Sequence, residues 1–228
     1  MRKRRKVKGQ RLLAFPSGWG GRRKGAGRKP KGERAGVPHQ KRGELAARFP
    51  VHVPARVRAG LPSLRGQLEQ VVLLGAFRAG CERFGFRLVH FAVLGNHMHY
   101  VVEAGGRRSL TAGLRGLHVR VARGLNRLWG RRGNVFPDRF HRRILKSPRE
   151  VRAGLAYVLH NARKHGVRQR AGEPDRCSSG RWFDGWRDPP PTLEREQSMS
   201  ARGRPVARAR TWLLSLGWRR LGLLQLRA

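Results

Sequence analysis

Acidic residues are scarce in this chain. Thirteen Asp and Glu stand against 52 Lys and Arg in 228 residues, a formal net charge of +39. A chain so short of counter-charge repels itself unless it meets a polyanion, which makes nucleic acid the expected partner. Cysteine is nearly missing too: Cys81 and Cys177, far apart, can build neither a disulfide framework nor a four-cysteine zinc site. Long apolar runs are absent. The longest, Val71 to Phe77 with Gly75 inside it, is far too short to span a bilayer. Behind the basic Met1–Lys8, the stretch Leu12–Phe15 before Pro16 is too short for the apolar part of a signal peptide. These absences argue against a secreted scaffold, a membrane protein and a transporter of acidic ligands. A soluble, cytoplasmic protein is expected.

What is abundant is arginine, 43 residues against 9 Lys. Its planar fork suits phosphate oxygens and guanine edges better than an ammonium does. Residues 1–50 carry 17 Lys and Arg and 2 Glu, a net +15, with no apolar periodicity. Such a segment buries too little apolar surface to offset its ordering entropy, so residues 1–47 are expected to form a disordered basic tail. Gly27-Arg28-Lys29-Pro30 and Arg202-Gly203-Arg204-Pro205 are similar to AT-hook minor-groove clamps, although solvated basic linkers share that composition.

From Phe49 the pattern changes, and residues 48–166 read as the folded domain, with 167–228 as a C-terminal extension. Val51 to Val57 alternates like a strand, with Pro54 suited to an edge or a bulge. Pro62-Ser63 opens an expected helix with Leu64, Leu68, Val71, Val72 and Gly75 on one face. Phe86–Val93 and His97–Val102, joined by Gly95-Asn96, predict an antiparallel hairpin. Leu110, Leu114, Leu117, Val121, Leu125 and Leu128 predict a long helix whose opposite side carries Arg115, Arg120, Arg123 and Arg127. Phe140–Leu145 is a further strand candidate. Ser147-Pro148-Arg149-Glu150 is a capping box with proline at the first helical position, opening a helix that is expected to stop at Gly166. Thr211–Leu226 reads as a final cationic, Trp-rich helix. The alternation predicts an α+β sandwich: a central antiparallel sheet with helices on one face.

Two constellations carry chemistry. In His97-Met98-His99 on a strand, both imidazoles point to one side and Met98 to the other. Such a pair can serve a divalent ion with open positions for a phosphate, or it can be incidental. Tyr157 and Asn161, four apart on a helix, share a side. A tyrosine hydroxyl can attack a phosphodiester and store its bond energy as a phosphotyrosine, and the amide could be a third metal ligand. Helix packing is the other reading of Tyr157, although it lies off the Val151, Leu155, Val158 stripe and Tyr100 is the chain's only other tyrosine.

Leu94-Gly95-Asn96-His97-Met98-His99-Tyr100-Val101-Val102-Glu103 resembles the His-hydrophobe-His strand of the HUH single-tyrosine transposases, more particularly the REP-associated branch. Val135-Phe136-Pro137-Asp138-Arg139-Phe140-His141 resembles that branch's segment before the catalytic helix. Ala156-Tyr157-Val158-Leu159-His160-Asn161-Ala162-Arg163-Lys164-His165-Gly166 resembles its tyrosine motif, with Ala162 where the branch often has proline. Order and spacing agree across residues 49–166. The resemblance implies a ferredoxin-like sandwich, Mg²⁺ or Mn²⁺ held by His97 and His99 with Asn161 as third ligand, and Tyr157 as nucleophile. It implies single-stranded, hairpin-forming repeat DNA as substrate, cleaved through a 5′-phosphotyrosine and then rejoined by strand transfer, by a monomer or a homodimer.

The expected DNA-backbone contacts are Arg115, Arg120, Arg123 and Arg127 on the long helix, with Arg139 and Lys164 in the later motifs. His141 and His160 are candidates for proton transfer, equally readable as phosphate contacts or exposed side chains, and Trp129, Trp182 and Trp186 for stacking on extruded bases or for packing. Two other classes stay open: a non-catalytic nucleic-acid-binding protein derived from such an enzyme, and a membrane-active helix at 211–226 built on Trp212, Leu213, Leu216 and Arg219.

Overall fold

The computed structural model describes residues 43–137, 139–167, 172–189 and 203–226. The basic tail up to residue 42 and its first AT-hook-like tetrapeptide lie outside the described residues, as do Asp138 and Arg202.

Val51, Val53 and Ala55 are buried, while His52, Pro54 and Arg56 alternate with them on the other face of β1 (Val51–Arg56). The period of two seen in the sequence therefore sorts core from site. After α1 (Gln67–Gly80) comes a short β2 (Glu82–Arg83), then a turn in which Gly85 has φ +74, and β3 (Phe86–Val93). β4 (His97–Ala104) folds back antiparallel on β3, as the hairpin reading expects. α2 (Arg107–Leu128), β5 (Arg143–Ile144) and α3 (Pro148–Leu159) follow. The sheet order is β2-β3-β4-β1-β5, with every pairing antiparallel. With β2 set aside as an added edge, this is the βαββαβ arrangement of a ferredoxin-like sandwich. β5 pairs only with Val51 and His52, so Pro54 sits where β1 has no second neighbour to offer it a ladder bond.

The expected layer of helices on one face is α1 and α2, packed on Val53, Phe91, Met98, Tyr100 and Val102. α2 buries Leu110, Leu114, Leu117, Val121 and Leu125, the stripe read from the sequence. It lies so close that a Cβ at Gly113 would run into the Phe86 ring. A second layer covers the other face: α3 packs Val151, Leu155, Val158 and Leu159 over Val89, Ala92 and Val101. Burial on both faces is why β3 reads as a dense apolar run, interrupted only by Arg87 and His90.

Three local expectations are corrected. α1 starts at Gln67, and its buried face is Leu73, Ala76, Phe77 and Gly80, while Leu68 and Val71 are exposed. The Phe77 ring lies against Phe91 and Tyr100, and that packing sets the helix phase. The α3 cap holds, with Ser147 Oγ accepting from Glu150 N at 3.2 Å, but the Glu150 carboxylate accepts from Lys146 N, one residue further out. α3 ends at Leu159, short of Gly166. A single turn, α4 (Asn161–Lys164), continues to Gly166, where φ is +69. Third, Thr211–Leu226 is not one helix. It is α5 (Trp212–Ser215) and a 3₁₀ turn, Gly217–Leu221, with Leu213, Leu214 and Trp218 buried against α3 and Phe183. Trp212 and Leu216 stay exposed, but with Leu213 buried and the helix broken after Ser215 the segment lacks the continuous amphipathic helix that the membrane-active reading requires. No described helix is long and apolar enough to cross a membrane.

Candidate active site

β4 sends Met98 and Tyr100 into the core beneath α1 and α2, and so turns His97 and His99 to the α3 face. Their rings lie 5.0 Å apart and nearly perpendicular. β1 adds a third imidazole that sequence reading did not single out. His52 stands opposite Val101, diagonal to His99, and its Nε2 is 3.1 Å from His99 Nδ1. A fourth, His165, follows α4 and lies 5.3 Å from His97. These two were missed because which strand or turn neighbours β4 is a property of topology.

α3 supplies the phenol. Its apolar stripe is pinned to the sheet, which leaves Tyr157 at the edge of that stripe, 37% exposed. The Tyr157 ring is edge-on to His99 at 5.2 Å and to His52 at 5.7 Å. Lys164 holds its ammonium 4.9 Å over the same ring. Asn161 opens α4 and is completely buried.

Burial dominates the electrostatics. It pushes His99 down to about 3, helped by the neighbouring His52, His97 and His165. His52 falls to about 4 through burial and Arg143, and His97 is lowered by burial, His165 and Arg56. All three imidazoles are thereby kept neutral near pH 7, the state in which a ring nitrogen can ligate.

Among the described residues no group of three or more His, Cys, Asp or Glu side chains is placed to hold a metal ion. The candidate set is of another composition, two imidazoles and an amide. His99 Nε2 and both Asn161 amide atoms are buried without a hydrogen-bond partner among the described residues. Buried polar atoms left orphaned are costly, and a bound ion would satisfy the lone pairs among them. His99 Nε2 and Asn161 Oδ1 are therefore of the chemical kind that could ligate a divalent ion.

Two cavities flank these residues. One of about 680 Å³ is walled by Arg56, His97, Phe136, Arg139, His141 and His165. The other, of about 430 Å³, is walled by His52, Arg143, Tyr157, His160 and Lys164. Arg115 lines a third hollow that shares His118, Phe136, Arg139 and Phe140 with the first. The remaining expected DNA contacts lie elsewhere: Arg120 runs beside Gly80 of α1, and Arg123 and Arg127 are exposed and line none of these cavities. The tryptophans are used in packing. Trp129 donates to Glu69, Trp182 packs against the core, and Trp186 is buried and donates to Gly180 O.

No protein-family model matches the chain, and no curated protein matches it. Among solved structures it is similar to a REP-associated tyrosine transposase bound to a REP hairpin, with a TM-score of 0.50 and 14% sequence identity over 77% of this chain and 93% of that one. What the two share is the fold, an antiparallel five-stranded α+β sandwich in this chain.

Proposed function

We propose that this chain is a DNA transposase that nicks and rejoins single-stranded, hairpin-forming DNA through Tyr157. The observation that carries this reading is the meeting of Tyr157 with His99 across two elements distant in sequence. A solved neighbour of the same fold holding a REP hairpin, and the +39 charge, support DNA as the partner.

His97, His99 and Asn161 would hold Mg²⁺ or Mn²⁺, which when bound draws charge from the scissile phosphate. Arg139 and Arg143, one in each flanking cavity, bind the neighbouring backbone phosphates. Tyr157 Oη attacks phosphorus, the P–O3′ bond breaks, and the 3′ oxygen takes up a proton to leave as a free hydroxyl. The phosphorus stays on the 5′ end as a phosphotyrosine. A phenol is about three units from ionised at neutral pH, so its proton needs an acceptor. His160 lines the same cavity as Tyr157 and fills that role, while His141 lies in the cavity on the His97 side. Strand transfer is the reverse attack by another 3′ hydroxyl.

The test is incubation of the full chain with Mn²⁺ and hairpin single-stranded oligonucleotides carrying varied repeat ends. A protein–DNA adduct that survives boiling in detergent is expected. Tight binding with no adduct across the whole set would make the chain a non-catalytic DNA-binding protein instead.

A further inference from the structure

A neutral imidazole carries its proton on one ring nitrogen, and only the other nitrogen can ligate. His97 Nδ1 lies 2.8 Å from Asn96 Oδ1. An amide oxygen accepts and cannot donate, so the His97 proton sits on Nδ1 and Nε2 is left with its lone pair. His99 Nδ1 lies 3.1 Å from His52 Nε2, and His99 Nε2 is buried with no partner among the described residues. A proton on His99 Nε2 would be a buried N–H with no acceptor, a costly arrangement. Placed on Nδ1, it is donated to His52 Nε2, and His99 Nε2 bears only a lone pair. Two neighbours on different strands and turns thus enforce the same choice.

We propose that Asn96 and His52 are positioning residues that fix the tautomers of His97 and His99, so that both present Nε2 to the same divalent ion. This rests on the metal reading of the site in the preceding section. The sheet builds the device cheaply. His52 reaches His99 diagonally from the adjoining strand, because the residue directly opposite His99 is the compact Pro54. Asn96 sits in the β3–β4 turn, next to the residue it orients. A ring held through one nitrogen also has its orientation held, and partners of this kind are known to raise ligand basicity. Neither residue touches substrate in this assignment.

The experiment uses the full, metal-free chain labelled with ¹⁵N-histidine, and Mn²⁺ as the probe. Long-range ¹H–¹⁵N spectra should show His97 and His99 protonated on Nδ1. Mn²⁺ titrations followed by electron paramagnetic resonance should show His52→Leu and Asn96→Leu weakening binding by about 10–100-fold, while His52→Gln, whose Oε1 accepts at the same place, stays within about threefold of wild type. A wild-type proton on Nε2 of either residue overturns the proposal. So does His52→Gln losing as much affinity as His52→Leu, since that would mark a packing role only. If the wild type shows both tautomers but takes no Mn²⁺, the metal reading falls while the tautomer assignment holds. If it takes Mn²⁺ and His52→Leu binds equally well, the metal reading holds and the positioning role of His52 falls.

Discussion

The Tyr157 ring stands edge-on to the His99 ring with 5.2 Å between centroids, one residue carried by α3 and the other by β4. Because α3 is held to the sheet by Leu155 and Val158 on either side of this tyrosine, the contact is built into the packing rather than left to a loop. Tyr157→Phe keeps the ring and its contacts and removes only the hydroxyl. It should reduce adduct formation on the order of 10⁴-fold or more and leave hairpin affinity within about threefold. A denaturing gel and a binding titration check both. An adduct of normal yield in the variant would assign the nucleophile elsewhere.

On the proposed DNA-binding function, the placement of the arginines separates expected contacts from bystanders. Arg139 lines the hollow that His97 also lines and Arg115 the adjoining one, whereas Arg123 and Arg127 line neither. Arg115→Ala and Arg139→Ala should each lower the slope of log K against log[salt] by about one unit, and Arg123→Ala and Arg127→Ala should leave it nearly unchanged. Fluorescence anisotropy of a labelled hairpin across a salt series measures this. Equal losses from all four would move the DNA path off the cavities.

Acid should destabilise the fold through its buried imidazoles. His90, enclosed between Ser179 and Phe183, and His118, stacked on Phe136, are both lowered by burial from 6.5 to about 4. Between these values the unfolded chain binds more protons than the folded one. Stability is therefore full above pH 6.5 and falls as the pH drops toward 4, by about 2 kcal/mol for each imidazole between pH 7 and pH 5. Urea denaturation at the two pH values reads the difference, and His90→Gln, which cannot titrate, should make it smaller by about 2 kcal/mol. Stability independent of pH over this range would show that both rings reach solvent.

Glu103 ties the C-terminal segment to the sheet. Its fully buried carboxylate pairs with Arg87 at 2.8 Å and accepts from the backbone of Arg210 and Thr211 and from the Thr211 hydroxyl. Glu103→Ala leaves Arg87 without its counter-charge and should cost about 3–5 kcal/mol, seen as a lower urea midpoint. Limited proteolysis should then cut near residue 210, where the wild type resists. Unchanged stability in this variant would contradict the anchoring role.

Local patterns were legible where one physical rule governs them. The alternation in β1, the leucine stripe of α2 and the Ser147 cap all appear in the structure as the chain reads, because pleat, helical period and unsatisfied amides act over a few residues. The phase of α1 was not. Leu68 and Val71 compete with Phe77 for the inner face on apolarity alone, and it is the Phe91 and Tyr100 rings of the sheet that choose Phe77. The broken ending, α5 and its 3₁₀ turn, was hidden for the same reason. Trp218 leaves the helical period to reach Phe183, a partner far off in sequence.

By itself the sequence determined the charge, most of the strand-helix order and which residue types can do chemistry: two imidazoles on one side of a strand, and a tyrosine followed four residues later by an amide. Only the tertiary structure decided that the imidazoles and the phenol meet, and that His52 and His165 join them. Side-chain direction is set within a few residues by the backbone repeat. Neighbourhood is set by strand order and by which faces bury the most apolar surface, and those depend on the whole chain at once.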